Sequence, residues 1–459
     1  MYLYSLSRLW ILAVAVTALY LWIVGGWFHL ELLNISEYAS TRGLQAIFDW
    51  NYFDSNPTRL RILSDFLEVI DTILRPYSNN LFSHHPSITF TSLLIAITTP
   101  FFFYGAIRSM GLSRIEALLF TGLFISSIAY LSSFVPYIRP AKRLAMLGLC
   151  CLVFFTFRFR LTGKDWYIRL ALLVTFLNFF SDEAGYIFWL ILGLLIWNYS
   201  TKYYKIWYLL LLPIFFIVSK VLLPPIYGEF GKSGSRSSVL NLEMIIGLFQ
   251  NIFTIKFWNL AIEDLATAVS VTFGFISPSI SIVALILVAT LIFSFYKKWS
   301  IVIIWLIAIS LTSFFFTFID GVNTTKNNLG QWTYYYHASI APLSILCVIS
   351  IYLNLKPISK YMLYILALLC MYTTFTNFKN FHKINEIVKI IHTYPIATIN
   401  PLVVNSNLLV NRYDELLKDL NLLQEVELRK QFEYYIANPM GTDNYSQRLR
   451  KILGLSSNK

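Results

Sequence analysis

Two carboxylates lie within an aromatic-rich segment near the start of the chain. Asp49 and Asp54 occur in FDWNYFD, residues 48–54, and Glu37 precedes them in the same polar stretch. A carboxylate among aromatic side chains at a membrane surface is costly unless it is paired or used. These three acids are therefore candidates for catalytic groups.

A second group of candidates is basic. Arg139, Lys142 and Arg143 occur in FVPYIRPAKRLAMLGL, residues 134–149, where Pro140 suits the first turn of a helix. Arg139 and Arg143 share a face if that helix begins one residue earlier. Basic side chains at the start of such a helix can bind an anionic lipid headgroup. Contact with bulk phospholipid phosphates is the alternative interpretation.

An acidic pair interrupts a long apolar run. Asp182 and Glu183 occur in LNFFSDEAGYIFW, residues 177–189, and Gly185 fits a tight turn there. Adjacent acids at membrane depth are functional suspects, because charge is expensive in that position. They are candidates either to hold a metal ion or to orient a basic partner, and a plain surface turn is the alternative.

A glycine- and serine-rich segment, YGEFGKSGSRSS, carries Lys232 and Arg236 at residues 227–238. It lacks the GxxxxGK[ST] spacing of a nucleotide phosphate loop. A loop that closes over substrate and a plain flexible connection are both consistent with this composition.

Composition indicates the kind of scaffold that must position these residues. Of 459 residues, 57% are hydrophobic and 13% are charged, and mean hydropathy is +0.62. Soluble domains are about a quarter charged. The net charge of +12 is spread over short loops and the C-terminal tail, which favours control of membrane topology over nucleic-acid binding.

The apolar blocks predict about eleven transmembrane helices, each long enough to cross a bilayer. The predicted spans are 9–28, 87–107, 116–136, 141–157, 166–181, 184–199, 205–223, 277–296, 299–319, 333–354 and 358–377. Residues 240–276 are apolar but interrupted by charges, which indicates surface or re-entrant helices. With the N-terminus in the cytoplasm, the cytoplasmic loops are short and basic. Segments 29–86, 224–276 and 379–459 then lie on the opposite face.

Within the first outer segment, residues 56–74 read as an amphipathic helix. One face carries the apolar residues Leu60, Leu63, Leu67, Ile70 and Leu74. Arg61, Asp65 and Glu68 fall on the other face at spacings of four and three, so they can pair. This pattern predicts a salt-bridged surface helix.

This arrangement resembles the GT-C glycosyltransferases, integral membrane enzymes that take sugar from a polyprenyl-phosphate donor. VPYIRPAKRLAMLGL is similar to the Tyr/Arg-bearing helix start of that superfamily, and FSDEAGYIFW to an acid-then-glycine turn in related members. Size and topology are similar to those of bacterial O-antigen-modifying glucosyltransferases. The first outer loop departs from the family pattern, because its acids are separated rather than paired directly after the span.

The resemblance implies an all-α polytopic GT-C-like membrane domain over residues 1–378, N-in and C-out, and an extracytoplasmic segment over 379–459. It implies an enzyme of the plasma (inner) membrane whose active face is extracytoplasmic. The partners would be a polyprenyl-phosphate sugar, a glycan or lipid-linked acceptor and the bilayer, with no nucleic acid.

The resemblance also implies roles for the candidate residues. A first-loop carboxylate would act as general base toward the acceptor hydroxyl. The candidates are Asp54 or Asp49, with Glu37 as the third choice. Arg139 and Arg143, and less so Lys142, would bind the lipid phosphate. The remaining candidates are Asp182 and Glu183 as supporting residues and Lys232 and Arg236 in a loop over the site. The sequence identifies no particular cofactor, and a divalent metal at the acidic pair is left open.

Two other functions are consistent with the same pattern. A lipid-linked glycan transporter or flippase would bind a lipid headgroup through the same basic residues, Arg139, Lys142 and Arg143. It also requires charged residues deep in the spans, and most of the predicted spans lack them. An O-antigen polymerase or ligase would depend on paired outer arginines, and such an enzyme should tolerate loss of Asp49 and Asp54.

Overall fold

We describe the fold from a computed structural model. The residues that the structure describes are 27–28, 62–81, 90–127, 130, 136–137, 140–182, 184–197, 202–222, 253–255, 257–259, 262, 300–323, 334–354, 361, 363–369 and 371–372.

Nearly all of these residues are helical. The α-helices are α1 (Ile62–Leu81), α2 (Phe90–Ser109), α3 (Arg114–Ser126), α4 (Pro140–Thr162), α5 (Asp165–Phe179), α6 (Ala184–Ile196), α7 (Lys202–Ile217), α8 (Ser300–Asn323) and α9 (Tyr334–Asn354). A π-helical turn, Val218–Leu222, extends α7. Two short strands, β1 (Trp27–Phe28) and β2 (Pro136–Tyr137), form a parallel pair. The predicted all-α class is therefore confirmed for the described residues, apart from this pair.

Two of the helices, α2 and α4, are long and apolar enough to cross a membrane, judged by length and composition. Their 20 and 23 residues correspond to roughly 30–35 Å of helix at 1.5 Å per residue. Both coincide with predicted spans, 87–107 and 141–157. The boundaries of α5, α6, α8 and α9 likewise follow the apolar blocks, and predicted spans 277–296 and most of 9–28 lie outside the described residues.

The prediction of one unbroken helix over 116–136 is wrong. Helix α3 ends at Ser126, because Ser127 is extended and both its backbone N–H and its hydroxyl donate to the Phe124 carbonyl, at 3.2 and 2.7 Å. Serine side chains compete with the helix for backbone groups in this way. Strand β1 is the last two residues of the predicted span 9–28, and β2 begins at the last residue of the predicted span 116–136. The two strands pair with each other.

Helix α4 lies at the centre of the packing. It contacts α1, α2, α5, α6 and α9, and α8 packs against α6 and α9. Cys150 and Cys151 on α4 and Cys347 on α9 are buried free thiols. Trp305 on α8 is fully buried, stacks on Phe157 of α4 and donates its indole N–H to Ser350 at 2.9 Å.

Short turns make successive helices antiparallel, which separates the charges between the two ends of the bundle. Gly111 and Gly163, with φ of 108° and 66°, form the turns that end α2 and α4. At this end lie the basic residues Arg108, Arg114, Arg158, Arg160, Lys164, Arg169, Lys202 and Lys205. We call it the basic end. The hydroxyl of Tyr352 donates to Glu116 at 2.6 Å, which places the C-terminus of α9 at the same end.

Gly185 allows the close approach of α5 and α6 at the opposite end. A Cβ at this position would lie 2.6 Å from the carbonyl carbon and oxygen of Asn178 and 2.8 Å from the amide nitrogen of Phe179. These are backbone atoms, which cannot rotate aside. We therefore expect Gly185→Ala to lower the free energy of unfolding by about 1–3 kcal/mol. Thermal unfolding in detergent measures this effect. Gly122→Ala is the control, because no atom lies within 4 Å of a Cβ there. Equal stability of the two variants would contradict the prediction.

Candidate functional site

The first turn of α4 carries two adjacent buried cations. Lys142 is 3% exposed and Arg143 has no exposed surface. Lys142 Nζ forms an ion pair with Asp182 Oδ2 at 2.6 Å, across a sequence separation of 40 residues. This pair joins the start of α4 to the turn between α5 and α6.

Both carboxyl oxygens of Asp182 have partners. Oδ2 accepts from Lys142, and Oδ1 accepts from the backbone N–H of Ala184 at 3.0 Å. The Asp182 carbonyl also accepts from Gly185 N–H at 2.9 Å, so this residue closes the turn as well as holding the lysine. Of the two functional roles predicted for the acidic pair, Asp182 has the contacts expected for orienting a basic partner. Among the described residues there is no group of three or more acidic, histidine or cysteine side chains suited to a metal.

Helix α1 differs from its prediction. Ser64, Glu68 and Asp71 are each 1% exposed, whereas Phe66 and Ile73 are 39% and 38% exposed. Glu68 was predicted to lie on a solvent-facing side of the helix, and its burial shows that this part of the prediction is wrong. Helix α1 packs against α4 and α2, so its polar stripe at spacings of four and three faces the protein.

Three hydrogen bonds fix the position of α1. The backbone N–H of Leu63 donates to the Phe180 carbonyl at 3.1 Å, which places the start of α1 beside the α5–α6 turn. Asp71 accepts from the backbone N–H and the hydroxyl of Thr91, at 3.2 and 2.6 Å. Thr91 lies in the first turn of α2, where the helix dipole favours a negative charge.

Among the residues that the structure describes, five ionisable side chains are thus buried at the end of the bundle opposite the basic end. They are Glu68, Asp71, Lys142, Arg143 and Asp182. We call this the charged end. Sequence analysis had proposed Lys142, Arg143 and Asp182, and it missed Glu68 and Asp71 as buried groups. The spacing of Ser64, Glu68 and Asp71 on one helical face was the signal that could have identified them.

The strand pair connects the charged end to the N-terminal segment. Trp27 pairs with Pro136 and Phe28 with Tyr137, three residues before α4 begins. The chain therefore enters the first predicted outer loop beside the turn that carries Lys142 and Arg143. The remaining candidates lie outside the described residues, namely Glu37, Asp49, Asp54, Arg139, Glu183, Lys232 and Arg236.

The charged end combines cations that suit an anion with carboxylates that can orient them. Buried charges interact strongly, because the protein interior screens them much less than water does. The chemistry available there is anion binding next to acid–base groups. The chain matches no family model, and no curated protein and no solved structure shows significant similarity to it.

Proposed function

We propose that this protein is a polytopic membrane glycosyltransferase of the GT-C type. It would transfer a sugar from a polyprenyl-phosphate donor to a cell-envelope glycan or lipid-linked acceptor on the non-cytoplasmic face of the plasma membrane. The observation that carries the proposal is the charged end, where buried Lys142, Arg143 and Asp182 lie opposite an end rich in exposed basic residues.

The distribution of charge supports both the orientation and the position of the site. Arg114, Arg160, Lys164 and Lys202 are exposed at the basic end, as expected of short cytoplasmic loops. The charged end then faces the outside. Burial of ionisable groups at membrane depth is expensive, and such groups commonly serve function.

In this proposal the two cations of α4 have different tasks. Sequence analysis proposed Lys142 as a phosphate ligand, but its ammonium group is paired with Asp182. In this proposal the ion pair fixes the first turn of the helix. Arg143 binds the donor phosphate, together with Arg139. Because Arg143 has no exposed surface, a phosphate reaches it only when the covering segments move apart. A guanidinium held away from water binds an anionic leaving group strongly.

A first-loop carboxylate, Asp49 or Asp54, acts in this proposal as the base that removes the proton from the acceptor hydroxyl. The strand pair supports it, because the loop that contains both residues begins beside the start of α4. Glu68 and Asp71 are further buried carboxylates at the same end, and in this proposal they help to orient the arginine or the acceptor.

Binding of undecaprenyl phosphate to the full chain in nanodiscs tests the proposal. We expect saturable binding that an excess of phosphatidylglycerol does not displace. Asp49→Asn/Asp54→Asn should bind the lipid as the wild type does, because these groups are assigned to proton transfer and not to the phosphate. Release of polyprenyl phosphate from a labelled sugar donor should stop in that variant.

The alternatives give different results in the same experiment. A ligase that depends on paired arginines would keep its transfer activity in the double variant. A glycan transporter would bind the lipid and release no sugar from it. Absence of saturable binding by the wild type would remove the proposed donor site.

A further inference from the structure

Helix α1 crosses the start of α4 and is attached on both sides of it. The Leu63 N–H donates to the Phe180 carbonyl at the end of α5, and Asp71 accepts two hydrogen bonds from Thr91 in the first turn of α2. From Leu63 to Asp71 the helix extends about 12 Å at 1.5 Å per residue. That is enough to cross one helix, since packed helix axes lie about 8–10 Å apart. Because α1 also packs against α4 and α2, it lies over the first turns of α4.

Arg143 lies on the side of α4 that faces α2. Eleven residues separate Arg143 from Phe154, which is close to three helical turns, so both project from the same side of α4. Phe154 contacts α2 at Gly105, where a Cβ would lie 2.7 Å from its ring. Both helices run from the charged end to the basic end, and Leu94 precedes Gly105 by the same eleven residues. Arg143 and Leu94 are therefore at the same level along the α2–α4 contact.

The surface around this level is apolar on the outside and charged underneath. Arg143 has no exposed surface, whereas Leu94 on α2 is 61% exposed. Ile73 on α1 is also exposed, two residues beyond Asp71. We call the two hydrogen bonds between Asp71 and Thr91 the latch. A lipid that approaches from the bilayer between α1 and α2 meets these aliphatic side chains and the latch before it reaches Arg143.

We propose that α1 is a lid over Arg143, and that the latch opens to admit the phosphate of the polyprenyl donor from the bilayer, between α1 and α2. The inference rests on the proposed function, and it supplies the route by which the donor reaches a residue with no exposed surface. The hydrogen bond of Leu63 to Phe180 joins two backbone groups and stays intact, so α1 turns about its N-terminal end. The isoprenoid chain then remains beside Leu94 while the phosphate moves to Arg143.

Cysteine labelling of the full chain in nanodiscs measures opening of the lid without any substrate. Val69 on α1 has no exposed surface, so Val69→Cys reacts with a water-soluble maleimide only when α1 lifts. The chain without this substitution gives the background from the native thiols. Thr91→Val removes the hydroxyl that donates to Asp71 at 2.6 Å. We expect it to raise the labelling rate about tenfold, the factor that corresponds to one hydrogen bond with a charged group.

The rate at which undecaprenyl phosphate associates with the same nanodiscs measures entry of the donor. We expect Thr91→Val to raise this rate by a similar factor, because the open lid is populated more often. Thr91→Ser keeps the hydroxyl and should label and bind as the wild type does. Thr98→Val is the matched control, since it removes from the same helix a hydroxyl that donates to the Leu94 carbonyl at 2.5 Å and not to α1. It should change neither rate.

The two measurements separate failure of the lid from failure of the proposed function. An unchanged labelling rate in Thr91→Val, or an equal rise in Thr98→Val, would show that the latch does not hold α1. Faster labelling with an unchanged association rate would show that the donor enters elsewhere. Each of these results overturns the inference. A wild type that binds no undecaprenyl phosphate, while Thr91→Val still labels faster, would contradict the proposed function and with it the role of the lid in donor entry.

Discussion

Replacing Lys142 by methionine is expected to lower the free energy of unfolding by about 3–5 kcal/mol, because it leaves a buried charge without its counter-ion. The Asp182 side chain is 1% exposed, so water cannot replace the ammonium group that lies 2.6 Å from Oδ2. Unfolding of the purified protein in detergent, followed by heat or by titration with a denaturing detergent, measures the loss.

A double variant separates the ion pair from the rest of the turn. Lys142→Met/Asp182→Asn removes both charges and leaves a side-chain oxygen that can still accept from the Ala184 N–H, which Oδ1 binds at 3.0 Å. We expect it to recover most of the stability lost by Lys142→Met alone, since the cost comes from the unpaired charge. If the second substitution instead adds a further loss, the two side chains are not coupled as the structure indicates.

The ends of the helices show how far the sequence could predict this fold. Helices α2 and α4 could be predicted from continuous apolar runs of about 20 residues, because few other structures contain apolar runs of that length. The early end of α3 does not follow from hydropathy, because residues 127–136 are also largely apolar. There the serine hydroxyl groups and the pairing of residues 136–137 with 27–28 determine the backbone conformation. Such pairing joins segments more than 100 residues apart, and no local pattern encodes it.

The charged end shows a second limit. Lys142, Arg143 and Asp182 were candidates because charge within an apolar run is conspicuous. The pairing of Lys142 with Asp182, 40 residues away, depends on how α4 and the α5–α6 turn pack. Glu68 was predicted to face solvent because acidic residues normally occupy the exposed face of an amphipathic helix. That rule fails for α1, which is covered by α2 and α4 and leaves Phe66 and Ile73 exposed instead.

Arg143 is the residue whose loss should most affect donor binding. We expect Arg143→Met to weaken binding of undecaprenyl phosphate by about 10- to 100-fold, the factor that corresponds to a hydrogen-bonded contact with a charged group. Methionine fills much of the volume of the arginine stem in a site with no exposed surface. Arg143→Lys should give an intermediate affinity, because lysine keeps the charge and loses the bidentate geometry.

Arg158→Met supplies the matched control for this experiment. Arg158 lies on the same helix, at the basic end, and it is half-buried with its guanidinium 5.8 Å from the Phe154 ring centroid. Its replacement removes an equal charge from α4 and should leave binding of undecaprenyl phosphate unchanged. Thermal unfolding of both variants identifies any general loss of structure. If a folded Arg143→Met protein binds the lipid as tightly as Arg158→Met, the phosphate site is not at the first turn of α4.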